Sequence, residues 1–297
     1  MALATQFLDR TVFADLKLRR IFWLASYPKS GNTWVRAFLS AYENGDLDIN
    51  NMTRVIGDLH SYFYQVTSPT PLDQSGFGQY LCTRLAALSH ISALQRDNPL
   101  ILKTHCANAV IDRVPMIPLQ VTKGVVYLVR DPRDVAVSFS EHMGIAIDEA
   151  IDKMADPCSG VVTPEHLVHM TSSWSENVMG YLTEKEFRVT LVRYEDLLSD
   201  PQGQFKRILD AVGIPFDDFK LHRALDLANL RSLKKQEDER GFGEKKNQER
   251  FFNRGTAGHW RDLLSKEQVT RIERNHGEVM QSLGYDLSSS EDMRVAG

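Results

Sequence analysis

The stretch Ile21-Phe22-Trp23-Leu24-Ala25-Ser26-Tyr27-Pro28-Lys29-Ser30-Gly31-Asn32-Thr33-Trp34 decides the fold. Ile21–Ser26 is a short apolar run without strict alternation, the pattern of a strand covered on both faces, and a helical pattern follows over Thr33–Tyr42. Between them lies a tight Pro/Gly turn. Such a turn aims unpaired backbone N–H groups and the positive end of the helix dipole at one point, a geometry that binds anions. An ATP-type phosphate loop reads G-x-x-x-x-G-K-[S/T]. Here Asn32 stands where that lysine belongs, the first glycine is absent, and Lys29 sits two residues before Gly31. The turn is therefore phosphate-binding in style but poor as a Walker nucleotide site.

Outward from this stretch, Leu100–Lys103, Val125–Val129 and Arg188–Val192 also read as buried strands. Helical patterns fall at Tyr80–Gln95, Pro132–Met143 and Pro164–Thr183, the last opened by proline in a favoured first-turn position. Strand alternating with helix predicts an α/β fold with a central, mostly parallel sheet, right-handed crossovers and flanking helices. The C-terminal third is expected to be helical at Gln202–Val212, Phe216–Leu225 and Lys266–Leu283. No internal repeat and no Gly/Ser linker marks a boundary, so the 297 residues read as a single domain with its core over about 21–284. Gln236–Arg250 reads as a charged loop around two glycines, and Ser288–Gly297 as a frayed tail.

A hydrophobic content of 42% with 25% charged residues supports a sizeable core and excludes a wholly disordered or fibrous chain. The net charge of −4, with basic residues spread through the chain, leaves no footprint of a nucleic-acid or acidic-membrane binder. Any anionic ligand must then be held by a local site. Three scattered cysteines, Cys82, Cys106 and Cys158, give neither a disulfide framework nor a zinc pattern. Charges within the first thirty residues leave no signal-peptide core, and no apolar run reaches the ~18–20 residues of a membrane span. A cytoplasmic location is expected.

Tyr27–Trp34, Y-P-K-S-G-N-T-W, resembles the first cofactor-binding motif of the sulfotransferases, which has threonine where Asn32 stands. That family uses 3′-phosphoadenosine-5′-phosphosulfate, PAPS, and releases 3′-phosphoadenosine-5′-phosphate, PAP. The resemblance implies that Lys29 contacts the bridging oxygen and the transferring sulfuryl group. It implies further that Ser30, Gly31, Asn32 and Thr33 cradle the 5′-phosphate and that Trp34 packs on adenine. Val125–Ser138 resembles the family's 3′-phosphate motif, which assigns Arg130 and Ser138 to that phosphate and leaves Arg133 and Asp134 as surface ion pairs. Phe251–Trp260 is similar to the family's R-K-G-x-x-G-D-W segment, with Asn253 in place of arginine and His259 in place of aspartate. Arg254 and Gly255 are thereby expected at the 3′-phosphate, with Phe252 and Asn253 beside them in the cofactor site, a site weakened in charge but present. Two smaller matches, around Tyr194 and around Asn229 and Leu230, add to the nucleotide site, with Tyr194 facing adenine. In all, the resemblance spans Ile21 to Gly284.

Lys103-Thr104-His105 ends the second predicted strand and resembles the family's K-x-H element. The resemblance implies His105 as general base and Lys103 as a sulfuryl contact. A histidine with pKa near ~6.5 can take a hydroxyl proton at neutral pH. Sulfuryl transfer is a loose in-line displacement with a good leaving group, so no metal is expected, and no carboxylate cluster or His-rich spacing suggests one. The expected acceptor is a hydroxyl on a small molecule or natural product. Cys106-Ala107 replaces the usual Leu-Pro and alters the adjoining wall. The Asp-Pro after Arg130 and the N-T-W-V-R run look like bacterial members. The family's dimer motif is not matched after Trp260, so that dimer is not predicted. Gln236–Gly255 is expected to act as a lid that carries Phe242 over the acceptor pocket. Two alternatives stay open, an ATP- or GTP-dependent small-molecule kinase and a catalytically silent nucleotide-binding homologue.

Overall fold

Alternate side chains of the first strand point into two separate cores, and this sets the architecture. Ile21, Trp23 and Ala25 enter one apolar cluster, while Phe22 and Leu24 enter the other. Both faces of the strand are thus covered, as its uninterrupted apolar run requires. The computed structural model describes residues 19–68, 77–93, 98–162, 168–246 and 250–288.

In chain order the described elements begin with β1 (Ile21–Ser26), α1 (Asn32–Asn44), β2 (Val55–Gly57), α2 (Ser61–Thr67), α3 (Phe77–Ala93) and β3 (Leu100–Thr104). Next come β4 (Val110–Ile111), β5 (Val114–Pro115), β6 (Thr122–Val129), α4 (Pro132–Met143), α5 (Ile147–Ala155), β7 (Gly160–Val162) and β8 (Val168–Met170). The chain continues through α6 (Trp174–Leu182), β9 (Val189–Arg193), α7 (Tyr194–Ser199), α8 (Pro201–Ala211), α9 (Asp218–Leu227), α10 (Leu230–Arg240), α11 (Trp260–Leu263) and α12 (Lys266–Ser282). The central sheet has the order β2-β3-β1-β6-β9 and is parallel throughout. Its core strands lie where the apolar runs predicted them, and β1 matches to the residue.

Pro164–Thr183 does not form one helix. Val168–Met170 is instead a strand paired antiparallel with Gly160–Val162, with Val161 opposite His169. The helix begins only at Trp174, where the Ser173 side chain caps it by accepting from the Glu176 N–H. Residues 163–167 lie outside the described residues, as does the expected tail beyond Ser288. Gln236–Arg240 is not loop either, because it completes α10.

The Asp131–Asp134 group is not a surface cluster. Asp131, Arg133 and Asp134 are all buried. Arg133 donates to both Asp131 carboxylate oxygens and to Glu273, and its guanidinium lies 3.9 Å over the Trp260 ring. Asp134 accepts from the backbone N–H groups of Gly258 at 2.7 Å and Trp260 at 3.1 Å. Buried charges need such complete pairing, so these residues fasten α4 to the C-terminal segment.

Candidate active site

At the carboxyl edge of β1, β3 and β6 the chain encloses a cavity of about 920 Å³. Ligands gather at this edge in open α/β sheets. The turn after β1 forms its floor. Lys29 adopts a left-handed φ of 68° and Gly31 one of 97°, and no side chain caps the N-terminus of α1. The Asn32 and Thr33 N–H groups are thus left to whatever occupies the cavity, while that of Trp34 donates to Gly31 O. Gly31 is also demanded by space, since a Cβ there would come within 2.7 Å of the Tyr194 ring. Gly31, Asn32, Thr33 and Trp34 line the cavity with Lys29. Ser30 does not: it is fully buried, and its hydroxyl has no hydrogen-bond partner among the described residues. The Asn32 amide turns away from the cavity, donating to Leu24 O and Ser26 Oγ.

One side of the cavity is aromatic. Trp34 packs edge-on against Tyr194 and Phe205. Arg130 lies 4.6 Å over the Tyr194 ring and donates to Lys29 O and Thr256 O, each at 3.3 Å. Its buried Nε has no partner among the described residues, a donor that suits an anion. Ser138 on α4 shares this wall with Asn253, Arg254 and Gly255. Arg254 is paired with Glu141 at 2.7 Å. Gly255, at φ 64°, lies against Leu230, whose side chain a Cβ would overlap. Asn229 also lines the cavity, but its side chain caps α10 by accepting from the Ser232 N–H.

A clamp that sequence reasoning missed holds the Phe251–Gly255 segment. Buried Glu237, near the end of α10, accepts from the Phe251 N–H at 2.7 Å and the Phe252 N–H at 2.9 Å. The Phe251 ring then sits 4.2 Å from Lys29 Nζ. Phe242 packs against Phe251 and Phe252 in the second core and is not carried over a pocket. The Gly241–Glu244 segment is docked, with reciprocal bonds between Asn50 and the backbone of Gly241 and Gly243 and an Arg36–Glu244 ion pair of 2.6 Å. Residues 247–249 of the expected lid lie outside the described residues.

Lys103, on β3, and His105, just after it, line the same cavity as Lys29. Burial and the neighbouring Arg130 lower the Lys29 pKa to about 8. Burial lowers that of Lys103 as well. Burial would raise the Glu244 carboxyl, but Lys103, Arg36 and Lys29 outweigh it and hold the group below its ordinary range. His105 Nδ1 lies 2.9 Å from Ser26 O. A carbonyl oxygen only accepts, so Nδ1 carries the proton and Nε2 is left with its lone pair. Burial, Lys103 and His169 push the His105 pKa well below 6.5, which keeps the ring neutral. Fully buried Asn177 fixes this strand end, donating to Thr171 O and His105 O while accepting from the Tyr127 hydroxyl.

Behind His105 lies a buried Asp58–Arg84 ion pair of 2.9 Å, with Thr104, Tyr64 and Tyr80 as further partners. No local signal announced it. The lone metal-type cluster among the described residues, Asp58, Cys106 and His169, shares its carboxylate with Arg84.

Cations at several points, a glycine turn and an aromatic wall line the cavity of this α/β protein, a lining that suits an extended anionic ligand with a flat ring. The family model described as a sulfotransferase domain matches residues 19–284, and the chain belongs to that family of sulfuryl-transferring enzymes. Cytosolic sulfotransferase 17 of Arabidopsis thaliana is 23% identical over 296 residues, covering 91% of this chain and 77% of the relative. Among solved structures, retinol dehydratase in complex with androsterone and inactive cofactor PAP aligns with a TM-score of 0.59 at 23% identity, covering 91% of this chain and 82% of that one. Mouse sulfotransferase SULT7A1 complexed with PAP gives 0.58 at 15% identity, covering 88% and 85%. No helix among the described residues is long and apolar enough to cross a membrane.

Proposed function

We propose that this enzyme transfers the sulfuryl group of PAPS to the hydroxyl of a small-molecule acceptor, with His105 as general base. The observation that carries the reading is the fixed tautomer of His105, whose Nδ1–H is committed to Ser26 O while the ring lines the cavity beside Lys29 and Lys103. PAPS supplies a sulfur centre bonded to a good phosphate leaving group. The chain's part is to hold and polarise. Arg130, Ser138, Asn253, Arg254 and Gly255 take the 3′-phosphate, Arg254 exchanging Glu141 for it. The Gly31–Thr33 backbone takes the 5′-phosphate at the helix N-terminus. Trp34, Tyr194, Asn229, Leu230 and Phe252 enclose the adenosine. Lys29 faces the bridging oxygen, where charge grows as the sulfur–oxygen bond breaks, and Lys103 faces the sulfuryl oxygens. His105 Nε2 receives the acceptor proton as the new oxygen–sulfur bond forms.

The orphan Nε of Arg130 and the uncapped α1 terminus support the fit of this ligand to the residues present. The kinase alternative is weaker, because Asn32 occupies the Walker lysine position and its amide points into the fold. The names of the cytosolic relatives support a cytoplasmic protein, the androsterone held by retinol dehydratase supports a small-molecule acceptor, and the whole chain is read as one domain. Calorimetry comparing PAP with ATP-Mg, followed by transfer of labelled sulfate from PAPS to phenols and alcohols, tests the reading. Tighter PAP binding with label transfer is expected. Preference for ATP-Mg would establish the kinase, and PAP binding without transfer the silent homologue.

A further inference from the structure

His169 lay in a segment expected to be helix, yet the β7–β8 hairpin delivers it to the same cavity as His105. The placement is fixed by backbone. The Ala107 N–H donates to Met170 O at 2.7 Å, so β8 is bound to the chain just after β3. The two imidazole rings end 5.5 Å apart with their planes at 59°.

Their hydrogen bonds impose opposite tautomers. His169 Nδ1 accepts from the His105 backbone N–H at 3.4 Å and lies 3.9 Å from Cys106 Sγ. Burial raises the Cys106 thiol pKa, so the sulfur keeps a proton that it can donate. Asp58 Oδ1, at 3.8 Å from Nδ1, is beyond hydrogen-bonding reach. An imidazole nitrogen that accepts carries no proton, and burial, Lys103 and Arg84 hold the His169 ring neutral. The proton is therefore on Nε2. His105 has the reverse arrangement, with its proton on Nδ1. One ring offers the cavity a lone pair and its neighbour offers an N–H.

From this complementarity we infer that His169 is a second acceptor-binding residue, donating Nε2–H to a lone pair of the hydroxyl oxygen whose proton points at His105 Nε2. The pair selects an acceptor atom that both donates and accepts, as a neutral hydroxyl does. It also fixes the oxygen's orientation before transfer, which a lone base does not. An amine nitrogen protonated at neutral pH would bring a third hydrogen and no lone pair, and His169 would repel it. This inference rests on the sulfotransferase reading and on His105 as its base.

Two measurements test it. With histidine ¹⁵N-labelled protein saturated with PAP, long-range ¹⁵N–¹H correlation spectra should show His169 as the Nε2–H tautomer and His105 as the Nδ1–H tautomer, assigned with the His169→Asn variant. Asparagine can still accept from the His105 N–H but lacks the donor at the ε position, whereas glutamine can place an amide donor near it. With PAPS and 4-nitrophenol, His169→Asn should raise the acceptor KM about tenfold, the loss of one hydrogen bond. PAP affinity should stay within about twofold, and His169→Gln should recover most of the loss. If 4-nitrophenol is inert with the wild type, the same comparison is made on the rate of PAPS hydrolysis, with water as acceptor. An Nδ1–H or doubly protonated His169, an unchanged KM, or PAP affinity falling in step with KM overturns the role of His169 alone. A wild-type protein that binds no PAP and turns over no PAPS overturns the sulfotransferase reading beneath it.

Discussion

The turn at Pro28–Thr33 and the segment at Phe251–Trp260 both border the cavity, but they are built by opposite means. The turn is shaped by its own backbone, with left-handed Lys29 and Gly31 leading into an uncapped helix. The C-terminal segment is hung from two distant carboxylates, Glu237 on the Phe251 and Phe252 amides and Asp134 on those of Gly258 and Trp260. A site of the first kind is written in contiguous residues and survives as long as its glycine does. One of the second kind depends on groups that lie 14 to 126 residues away in sequence.

The sharpest way to break the contrast is Gly31→Ala. The new Cβ would meet Tyr194 at 2.7 Å in a backbone region that costs a non-glycine residue about 1–2 kcal/mol. We expect PAP affinity to fall at least about thirtyfold by calorimetry, with the Phe251–Trp260 amides still protected in hydrogen exchange. Retained affinity would mean that the turn is not the phosphate cradle. Glu237→Ala tests the other side. It frees two amides from a charged acceptor, so melting should drop by an amount equivalent to about 2–3 kcal/mol, and PAP affinity by about tenfold. Protection of Lys29–Trp34 should persist, and collapse of both regions together would merge them into one unit.

A narrower effect, on binding alone, is expected of Arg130→Ala, which should weaken PAP by about tenfold but leave adenosine 5′-phosphate nearly unchanged. Equal losses would remove Arg130 from the 3′-phosphate. The smallest effects are those of pH. Lys29, with its pKa lowered to about 8 by burial and Arg130, loses its charge above that value, so kcat/KM for PAPS should decline on an alkaline limb near pH 8. Burial, Lys103 and His169 already hold the His105 pKa well below the ordinary value, so no limb is expected at pH 6.5. Stability follows the buried histidines. Burial lowers the pKa of His276 to about 4, so the unfolded chain takes up its proton first as pH falls. The histidine's contribution is complete above 6.5 and shrinks between 6.5 and 4, by about 1.4 kcal/mol per pH unit. A His276→Gln variant should lose part of that slope in chemical denaturation.

What could be read from the sequence follows the same division. β1 and Pro132–Met143 were legible because an apolar run and a helical period are local facts. The phosphate turn was legible for the same reason. His169 was not: the apolar spacing from Val168 through Trp174 to Tyr181 imitates a helix, and only pairing with Gly160–Val162 makes its first part a strand. Arg133 and Asp134 looked like surface charges because their partners, Glu273 and the Gly258–Trp260 amides, come from the far end of the chain. Nor does any nearby residue announce that Arg84 pairs with Asp58, or that Asn253 and His259 stand on a wall already tied down by neighbours.

Asn177 bears on how the enzyme comes into being. Its amide joins the Tyr127 hydroxyl in the middle of the sheet, the Thr171 carbonyl beside the hairpin and the His105 carbonyl, contacts that span 50, 6 and 72 residues of chain. Sheet assembly, hairpin docking and seating of the base must all be complete before that one side chain is satisfied. Closing such long loops comes late and slowly in folding. On refolding from denaturant, helix content should therefore return ahead of catalytic turnover, leaving a transient population that has secondary structure but no aligned base.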